Sequence, residues 1–437
     1  MVEFSLQESL RLREQEPEQI ARFQVSLLRN HLRHAARAPF YRDLFREIGC
    51  TPDDITSLDD LHHLPCTDRH TLDAQGPRIQ AVPDDRIVDL SLTSGTTGPP
   101  VTVPYTAADL DRLAFNETLA FWGAGVRTED VCLITVTLDR CFIAGLAYYN
   151  GLVRLGAKTI RSGPGQPARQ WELIRHLKPS VLVGVPSFLL QVARWAKEHG
   201  HDPGRAGVRL LVTIGEPLRR PDGSPTPLGR NLGEAWQCPV RNSYGATELE
   251  TGASECWKET GSHTHPELSI VEIIDEKGNV LPDGKPGEMV FTPLGVEGFP
   301  LIRFKTGDIT RKYSQPCGCG WNTVRIGPIE GRVSQRLKLK GTTIYPETIF
   351  QVLQEIEQIA GSYIEVRSAY DLSDEVKVVA GTSGGITEKE IGDLLQARLR
   401  VRPEVETVDK QQALSVMFRE GERKPRRFFD FREGAEQ

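Results

Sequence analysis

Between about residues 87 and 240 short apolar runs alternate with amphipathic stretches, and nothing else in the chain constrains its fold as strongly. Val131-Cys-Leu-Ile-Thr-Val136, Ala157-Lys-Thr-Ile160, Val181-Leu-Val-Gly-Val185 and Val208-Arg-Leu-Leu-Val-Thr-Ile214 read as strands. The spacing predicts helices over 107–124, 144–155, 169–176 and 187–199. Strands joined through helices run parallel, because the crossover returns the chain to the same end of the sheet. From 268 to 312 the pattern changes to strands and tight turns such as Asp275-Glu-Lys-Gly-Asn279 and Pro282-Asp-Gly284. Residues 1–60 read as helices, with Gln19–Arg46 interrupted at Ala38-Pro39-Phe40-Tyr41. After 333 strands and helices alternate again. A chain of 437 residues exceeds what one core usually organises. The expectation is an α/β protein. Its large N-terminal α/β domain, 1–332, has parallel sheets and a β-rich subdomain; a small C-terminal α+β domain covers 333–437, with a hinge near 331–335.

The segment Ser91-Leu-Thr-Ser-Gly-Thr-Thr-Gly-Pro-Pro100 follows the alternating run Arg86–Leu92, which reads as a strand. Five hydroxyl side chains and two glycines there can aim backbone N–H groups and small donors at an anion. An ordinary Ser/Thr/Gly turn would look the same. The segment is neither G-x-x-x-x-G-K-[ST] nor G-x-G-x-x-G. Further along come Asn242-Ser-Tyr-Gly-Ala-Thr-Glu248, Arg303-Phe-Lys-Thr-Gly-Asp308, Gly331-Arg332 and Leu339-Lys-Gly341.

In order, these resemble the signature motifs of the adenylate-forming superfamily, and more finely those of the phenylacetate–CoA ligase family. Leu64-Pro-Cys-Thr67, Gly184-Val-Pro-Ser187, Gly215-Glu216-Pro217, Leu281-Pro-Asp-Gly284 and Gly287-Glu288 fall where that family has similar pieces. The resemblance spans about residues 20–432. It implies that ATP activates a carboxylic acid as an acyl-AMP, with loss of pyrophosphate and help from Mg²⁺. Such a step needs alignment of two anions and neutralisation of developing charge more than covalent chemistry. The resemblance implies a nucleotide site of Thr93, Ser94, Gly95, Thr96, Thr97, Gly98, Gly215, Glu216, Pro217, Asn242, Ser243, Tyr244 and Gly245. Tyr244 would lie on adenine, Thr247 would contact the α-phosphate and Glu248 would hold Mg²⁺. Asp308 would accept the ribose hydroxyls, with Arg332 beside it.

The tail Arg419-Glu-Gly-Glu-Arg-Lys-Pro-Arg-Arg427 resembles the family's ending, and Lys424, six residues before Asp430, stands where its catalytic lysine does. Arg423 is the rival. The sequence departs from the family at Pro99, where lysine is common, and at Ser334-Gln335, where the family has an acidic hinge. A serine hinge makes fewer contacts, so the first half-reaction is expected to be efficient and transfer to CoA slow or absent. Phe142, Ile143, Ala144, Gly145 and Tyr149, with Gly245, fall at the family's aryl pocket. Tyr149 and Asn150 suit an amino- or hydroxybenzoate better than a bare phenylacetate, and core packing would account for the same aromatics.

Cys256-x6-His263 and Cys317-x-Cys319 supply the Cys3His set of closed structural zinc sites, with His265 as the rival fourth ligand. The other cysteines read as small core side chains, and eight scattered cysteines do not suggest a disulfide framework. Net charge −6 disfavours a nucleic-acid surface. No apolar run approaches the roughly 20 residues of a membrane span, and no signal-like start is seen, so a cytoplasmic location is expected. The leading reading is an ATP-dependent aryl-acid ligase using ATP/AMP, Mg²⁺ and structural zinc, with CoA as acceptor. Its expected partners are a small aromatic acid and CoA or another acyl acceptor, with neither nucleic acid nor membrane, and homodimerisation left open. Two alternatives stand beside it. One is an aryl-acid AMP ligase of secondary metabolism that passes its acyl group to a non-CoA hydroxyl, amine or carrier. The other is a zinc-containing nucleic-acid-binding module.

Overall fold

The computed structural model describes residues 5–93, 100–339, 342–368, 374–418 and 425–432. These divide into two compact units: one takes the residues up to Thr306 together with Thr310–Ile329, the other Gly307–Ile309 and the residues from Glu330 on.

The first unit opens with helices Leu6–Arg13, Pro17–Ala35 and Pro39–Ile48. Its framework is a nine-stranded sheet. From one edge the strands are Lys312–Tyr313, Arg325–Ile326, Ser262–His263, Thr251–Glu255, Val240–Ala246, Leu210–Ile214, Val181–Gly184, Val131–Ile134 and Lys158–Arg161. The last five are mutually parallel, as the strand–helix alternation demands. The first four join antiparallel, so the sheet changes character at Val240–Ala246.

Helix Ala107–Ala124 begins at the Thr106/Asp109 capping box and ends where Gly125 takes φ 104°. Helices Pro167–Leu177 and Pro186–Glu198 start one or two residues before the apolar spacing predicts, because proline fits the first helical position, where its missing N–H costs nothing. Strands Ser269–Ile274 and Gly287–Pro293 pair antiparallel and supply the expected β-rich part.

In the second unit, Ile359–Ser368 pairs antiparallel with Asp374–Thr382, which is parallel to Glu404–Asp409. Phe428–Asp430 closes the sheet, parallel to Ile359–Ser368. Helices Pro346–Gln354 and Glu388–Leu399 cover it through Ile349, Leu353, Ile391 and Leu395, each about 1% exposed or less against Ile364 and Val378. This is the expected α+β arrangement. Among the described residues no helix is long and apolar enough to cross a membrane.

Candidate active site

Strand Ile87–Leu92 pairs antiparallel with Thr102–Thr106, and the hydroxyl-rich segment lies between them in the chain. Ser94, Gly95, Thr96, Thr97, Gly98 and Pro99 lie outside the described residues, and Thr93 is the last described residue before them. Its N–H donates to the Val101 carbonyl at 3.0 Å, and its Oγ1 accepts from Val101 N at 3.0 Å and from Arg69 Nη1 at 3.2 Å. Arg69 is the first residue of helix Arg69–Ile79, whose N-cap Asp68 accepts from Thr71 N. The same guanidinium lies 3.7 Å from the Glu248 carboxylate. It therefore joins Thr93 to the Thr247–Leu249 turn. Nothing local in the sequence flags this residue; only the Pro-Cys-Thr-Asp stretch before it marks a helix start.

Asn242–Glu248 occupies the carboxyl end of the strand at which the sheet changes from parallel to antiparallel, the kind of edge where open α/β sheets bind ligands. Thr213 Oγ1 donates to Asn242 Oδ1 at 3.1 Å, and Asn242 N donates to Glu255 Oε2 at 2.9 Å, which fixes the strand. Tyr105 donates its hydroxyl to the Thr247 carbonyl at 3.3 Å. After Leu210–Ile214 the chain turns at Gly215, φ 89°, a left-handed conformation natural to glycine. Glu216 then accepts from Ser187 N at 2.8 Å and Ser187 Oγ at 2.9 Å, tying this turn to the start of helix Pro186–Glu198.

In the second unit Asp308 pairs across strands with Arg332, whose Nε lies 3.1 Å from Oδ1. Asp308 is only 7% exposed, while the Arg332 side chain is about half exposed. Gly331 is dictated by packing, since a Cβ there would stand 2.4 Å from the Tyr345 ring. Lys340, Gly341, Arg423 and Lys424 lie outside the described residues.

Ligand atoms of Cys256, His263, Cys317 and Cys319 lie within 4.8 Å of one another. Cys256 Sγ and Cys317 Sγ are 3.8 Å apart, and Cys319 Sγ is 3.5 Å from His263 Nε2. A tetrahedron with Zn–S near 2.3 Å and Zn–N near 2.0 Å has edges of about 3.8 and 3.5 Å, so the donor set fits zinc. His263 Nδ1 meets Thr323 Oγ1 at 2.7 Å, which leaves Nε2 to face the thiols. His265 points elsewhere: its Nδ1 accepts from Arg13 Nη2 at 2.6 Å. The Cys256 thiol, hydrogen-bonded by Cys319 and beside the imidazole, is pulled down to about 3. Arg13 also bonds the fully buried Glu267 at 2.9 Å and covers the Trp321 ring, so the cluster ties the 317–321 loop to the first helix and the sheet edge.

A narrow cleft, too tight in this conformation to admit a water molecule, is lined by Glu117, Ala120, Phe121, Tyr148, Val183, Val212, Thr213, Ile214 and Ser243. Its walls stand close together, so a ring enters by displacing side chains. Tyr148 is on this wall, whereas the neighbouring Tyr149 has its ring under the Arg161 guanidinium, 4.9 Å away. Ile143 is buried, and Phe142 and Ala144 pack half-buried against the core beside Tyr148. Gly145 lets helix Ile143–Leu155 approach Thr137, whose carbonyl a Cβ would meet at 2.0 Å. Gly245 has open space, with no atom nearer than 3.7 Å to the position of a Cβ.

The family model of the AMP-binding enzymes matches residues 41–296, more than half of the chain. The chain belongs to the AMP-binding enzyme family. Within this family it is 33% identical over 346 residues to the phenylacetate–coenzyme A ligase of Pseudomonas putida, covering 78% of this chain and 76% of that one. It is 33% identical over 349 residues to the phenylacetate–coenzyme A ligase of Thermus thermophilus, covering 78% and 77%. The crystal structure of 2-hydroxyisobutyryl-CoA ligase in the postadenylation state shares the fold, with TM-score 0.84, 23% identity, and coverage of 97% of this chain and 92% of that one.

Proposed function

We propose that this AMP-binding enzyme is an ATP-dependent ligase that activates an aromatic carboxylate as acyl-AMP, releases pyrophosphate and passes the acyl group to CoA. The observation that carries this reading is the placement of Asn242–Glu248 at the parallel-to-antiparallel change of the sheet, joined through Arg69 to Thr93, where the Ser/Thr/Gly segment begins. The likeness to two phenylacetate–coenzyme A ligases supports an aromatic acid and a thiol acceptor.

In this reading the Ser/Thr/Gly segment holds the β- and γ-phosphates through backbone N–H groups and hydroxyls, which suits the absence of a lysine at Pro99. Thr247 contacts the α-phosphate and Tyr244 lies on adenine. Glu248 supplies an oxygen ligand to Mg²⁺, a hard cation. Arg69, 3.7 Å away, orients that carboxylate. Asp308 accepts the ribose hydroxyls with Arg332 beside it, and Lys424 neutralises charge developing between carboxylate and α-phosphate. Cys256, His263, Cys317 and Cys319 hold structural zinc: four protein ligands leave no open coordination position. Carboxylate-dependent ATP–pyrophosphate exchange across benzoates and arylacetates, scored with and without CoA, tests the reading. Absence of exchange with every acid would refute it.

A second acceptor is favoured by one observation. Ser334 and Gln335 form a single turn, Val333–Gln335, with no acidic side chain, and Arg432 instead holds the carbonyls of Arg336 at 3.0 Å and Ser334 at 3.4 Å. A junction held by its own main chain supports slow passage to CoA and capture of the adenylate by an amine, hydroxyl or carrier thiol.

A further inference from the structure

Two polar groups face the cleft beside Ser243, and the adenylation chemistry uses neither. Glu117 stands in the middle of helix Ala107–Ala124, where the sequence pattern suggests nothing beyond an exposed acid. The neighbouring helix Ile143–Leu155 crosses at this point. Gly151 makes the crossing close: a Cβ there would stand 2.3 Å from Glu117 Cβ and 3.1 Å from Thr118 N. Thr118 Oγ1 seals the contact by donating to the Ala114 and Gly151 carbonyls at 2.9 and 3.1 Å. Glu117 is thereby half-buried between the helices and forms part of the cleft wall. Its hydrogen-bond donor is the Asn116 amide at 2.9 Å, and among the described residues no Lys or Arg pairs with it. Tyr148, 5% exposed, lines the same cleft, and its hydroxyl has no hydrogen-bond partner among the described residues.

A buried phenol without a partner is unfavourable, commonly by about 1–3 kcal/mol for the unmade hydrogen bond, and a half-buried carboxyl with no cation beside it is disfavoured in its charged form. Chains seldom retain such groups unless something bound completes them. The rest of the wall is Ala120, Phe121, Val183, Val212 and Ile214, which suits the faces of a ring. Ser243, next in the chain to Tyr244, lines the same cleft.

We propose that Glu117 and Tyr148 form the polar end of the acyl-binding cleft and select an aromatic acid that carries an amino or hydroxyl group on its ring. The proposal rests on the acyl-adenylate reading above and names its substrate class. The ring lies among the apolar side chains, its carboxylate directed towards Ser243 and the nucleotide motif. Its amino or hydroxyl group donates to a Glu117 oxygen and shares a second hydrogen bond with Tyr148. Burial pushes the Glu117 carboxyl up to about 7, and the same burial, with Glu117 nearby, raises the Tyr148 phenol. A carboxyl keeps an acceptor oxygen in either protonation state, so a neutral aniline or phenol is accommodated in both. An unsubstituted ring leaves both groups unmatched. Sites built to bond a substrate donor reject analogues lacking it far more strongly than apolar pockets reject a missing methylene.

The test is ATP–pyrophosphate exchange by the full-length protein with benzoate, phenylacetate and their amino- and hydroxy-substituted forms. For the wild type, kcat/KM for the best substituted acid should exceed that of its unsubstituted parent by at least about 100-fold. Glu117→Leu should shrink that ratio at least about tenfold, Tyr148→Phe should shrink it less, and Glu117→Gln should keep part of it through the amide oxygen. Calorimetric binding of the acids to the Glu117→Gln protein gives the same comparison should the leucine variant not fold. A wild-type ratio near one, or a ratio unchanged in Glu117→Leu, overturns the selection and leaves adenylation standing. Absence of exchange with every acid removes the acyl-adenylate reading itself, and the proposal with it.

Discussion

Arg332 donates its Nε–H to the Asp308 carboxylate at 3.1 Å, across the pair of strands that opens the second unit. Asp308 is nearly buried and Arg332 is not, so the pair presents its charge at one accessible edge rather than losing it in a core.

Asp308→Ala should weaken ATP binding by at least about tenfold, because hydrogen bonds from ribose hydroxyls to a carboxylate contribute roughly 1.5–3 kcal/mol each. Lys424→Ala should instead spare nucleotide binding and lower adenylation by about 10² or more, as expected of a contact made mainly in the transition state. Calorimetry with ATP and pyrophosphate exchange separate the two. Unchanged ATP affinity in Asp308→Ala would remove the ribose assignment, and a larger effect of Arg423→Ala would shift the tail register by one residue.

Purified protein should contain about one zinc per chain, and Cys317→Ser or Cys319→Ser should lower both metal content and melting temperature. Loss of one thiolate weakens a site whose binding energy is folding energy, and here that site anchors the loop beside the buried Arg13–Glu267 pair. Folded variant protein should still adenylate its acid. Metal-free protein with unaltered melting would refute the site, and a zinc-dependent rate at constant stability would refute its structural role.

His31 gives the fold a defined acid sensitivity. It is 2% exposed and donates Nε2–H to the Leu301 carbonyl at 2.9 Å; burial, aided by repulsion from Arg112 and His34 and against the Leu301 bond, holds it down to about 4. The unfolded chain takes up this proton near 6.5, so its contribution is complete above that pH and is lost as pH falls towards 4. The loss is at most about 3 kcal/mol. Glu117, shifted upward, acts in the opposite direction over an overlapping range but is common to wild type and a His31→Gln variant. Denaturant midpoints from about pH 7.5 to 4.5 should therefore show the wild type losing stability relative to His31→Gln. Parallel curves would show that His31 titrates normally.

The helices and parallel strands were legible because their signals are local: helix 107–124 carries Thr106 and Gly125 at its ends, and the strands are apolar runs between turns. The choice between His263 and His265 was not, because residues two apart share one face of a strand. The strand ends at His263, and the chain beyond it carries His265 to Arg13. Which of Tyr148 and Tyr149 lines the cleft could not be read either, because helical phase cannot be fixed to one position from a segment apolar on most sides; in the structure Tyr148 does. Arg69 and Glu117 were invisible for a deeper reason. Each is placed by a partner far along the chain, Glu248 in one case and Gly151 in the other.

We propose that the acyl acceptor is set at Ser334 and Gln335. The family resemblance implies that the small domain swings there after adenylation, and such a swing needs a few residues to change φ and ψ. Ser334 and Gln335 offer no carboxylate to make new contacts in the second state. Arg432, itself paired with Asp430 at 2.5 Å and Asp374 at 3.3 Å, holds the neighbouring carbonyls in the first. Adenylation should therefore be fast and transfer to CoA slow, with acyl-AMP accumulating or captured by an added nucleophile. Arg432→Ala, by releasing the Ser334 and Arg336 carbonyls, should raise the second rate relative to the first. A single-turnover time course of acyl-AMP, with CoA and with hydroxylamine, reads both rates. Rapid CoA-dependent loss of the adenylate in the wild type would show that a serine hinge suffices. Persistence with CoA but loss with hydroxylamine would assign the acyl group to a different acceptor.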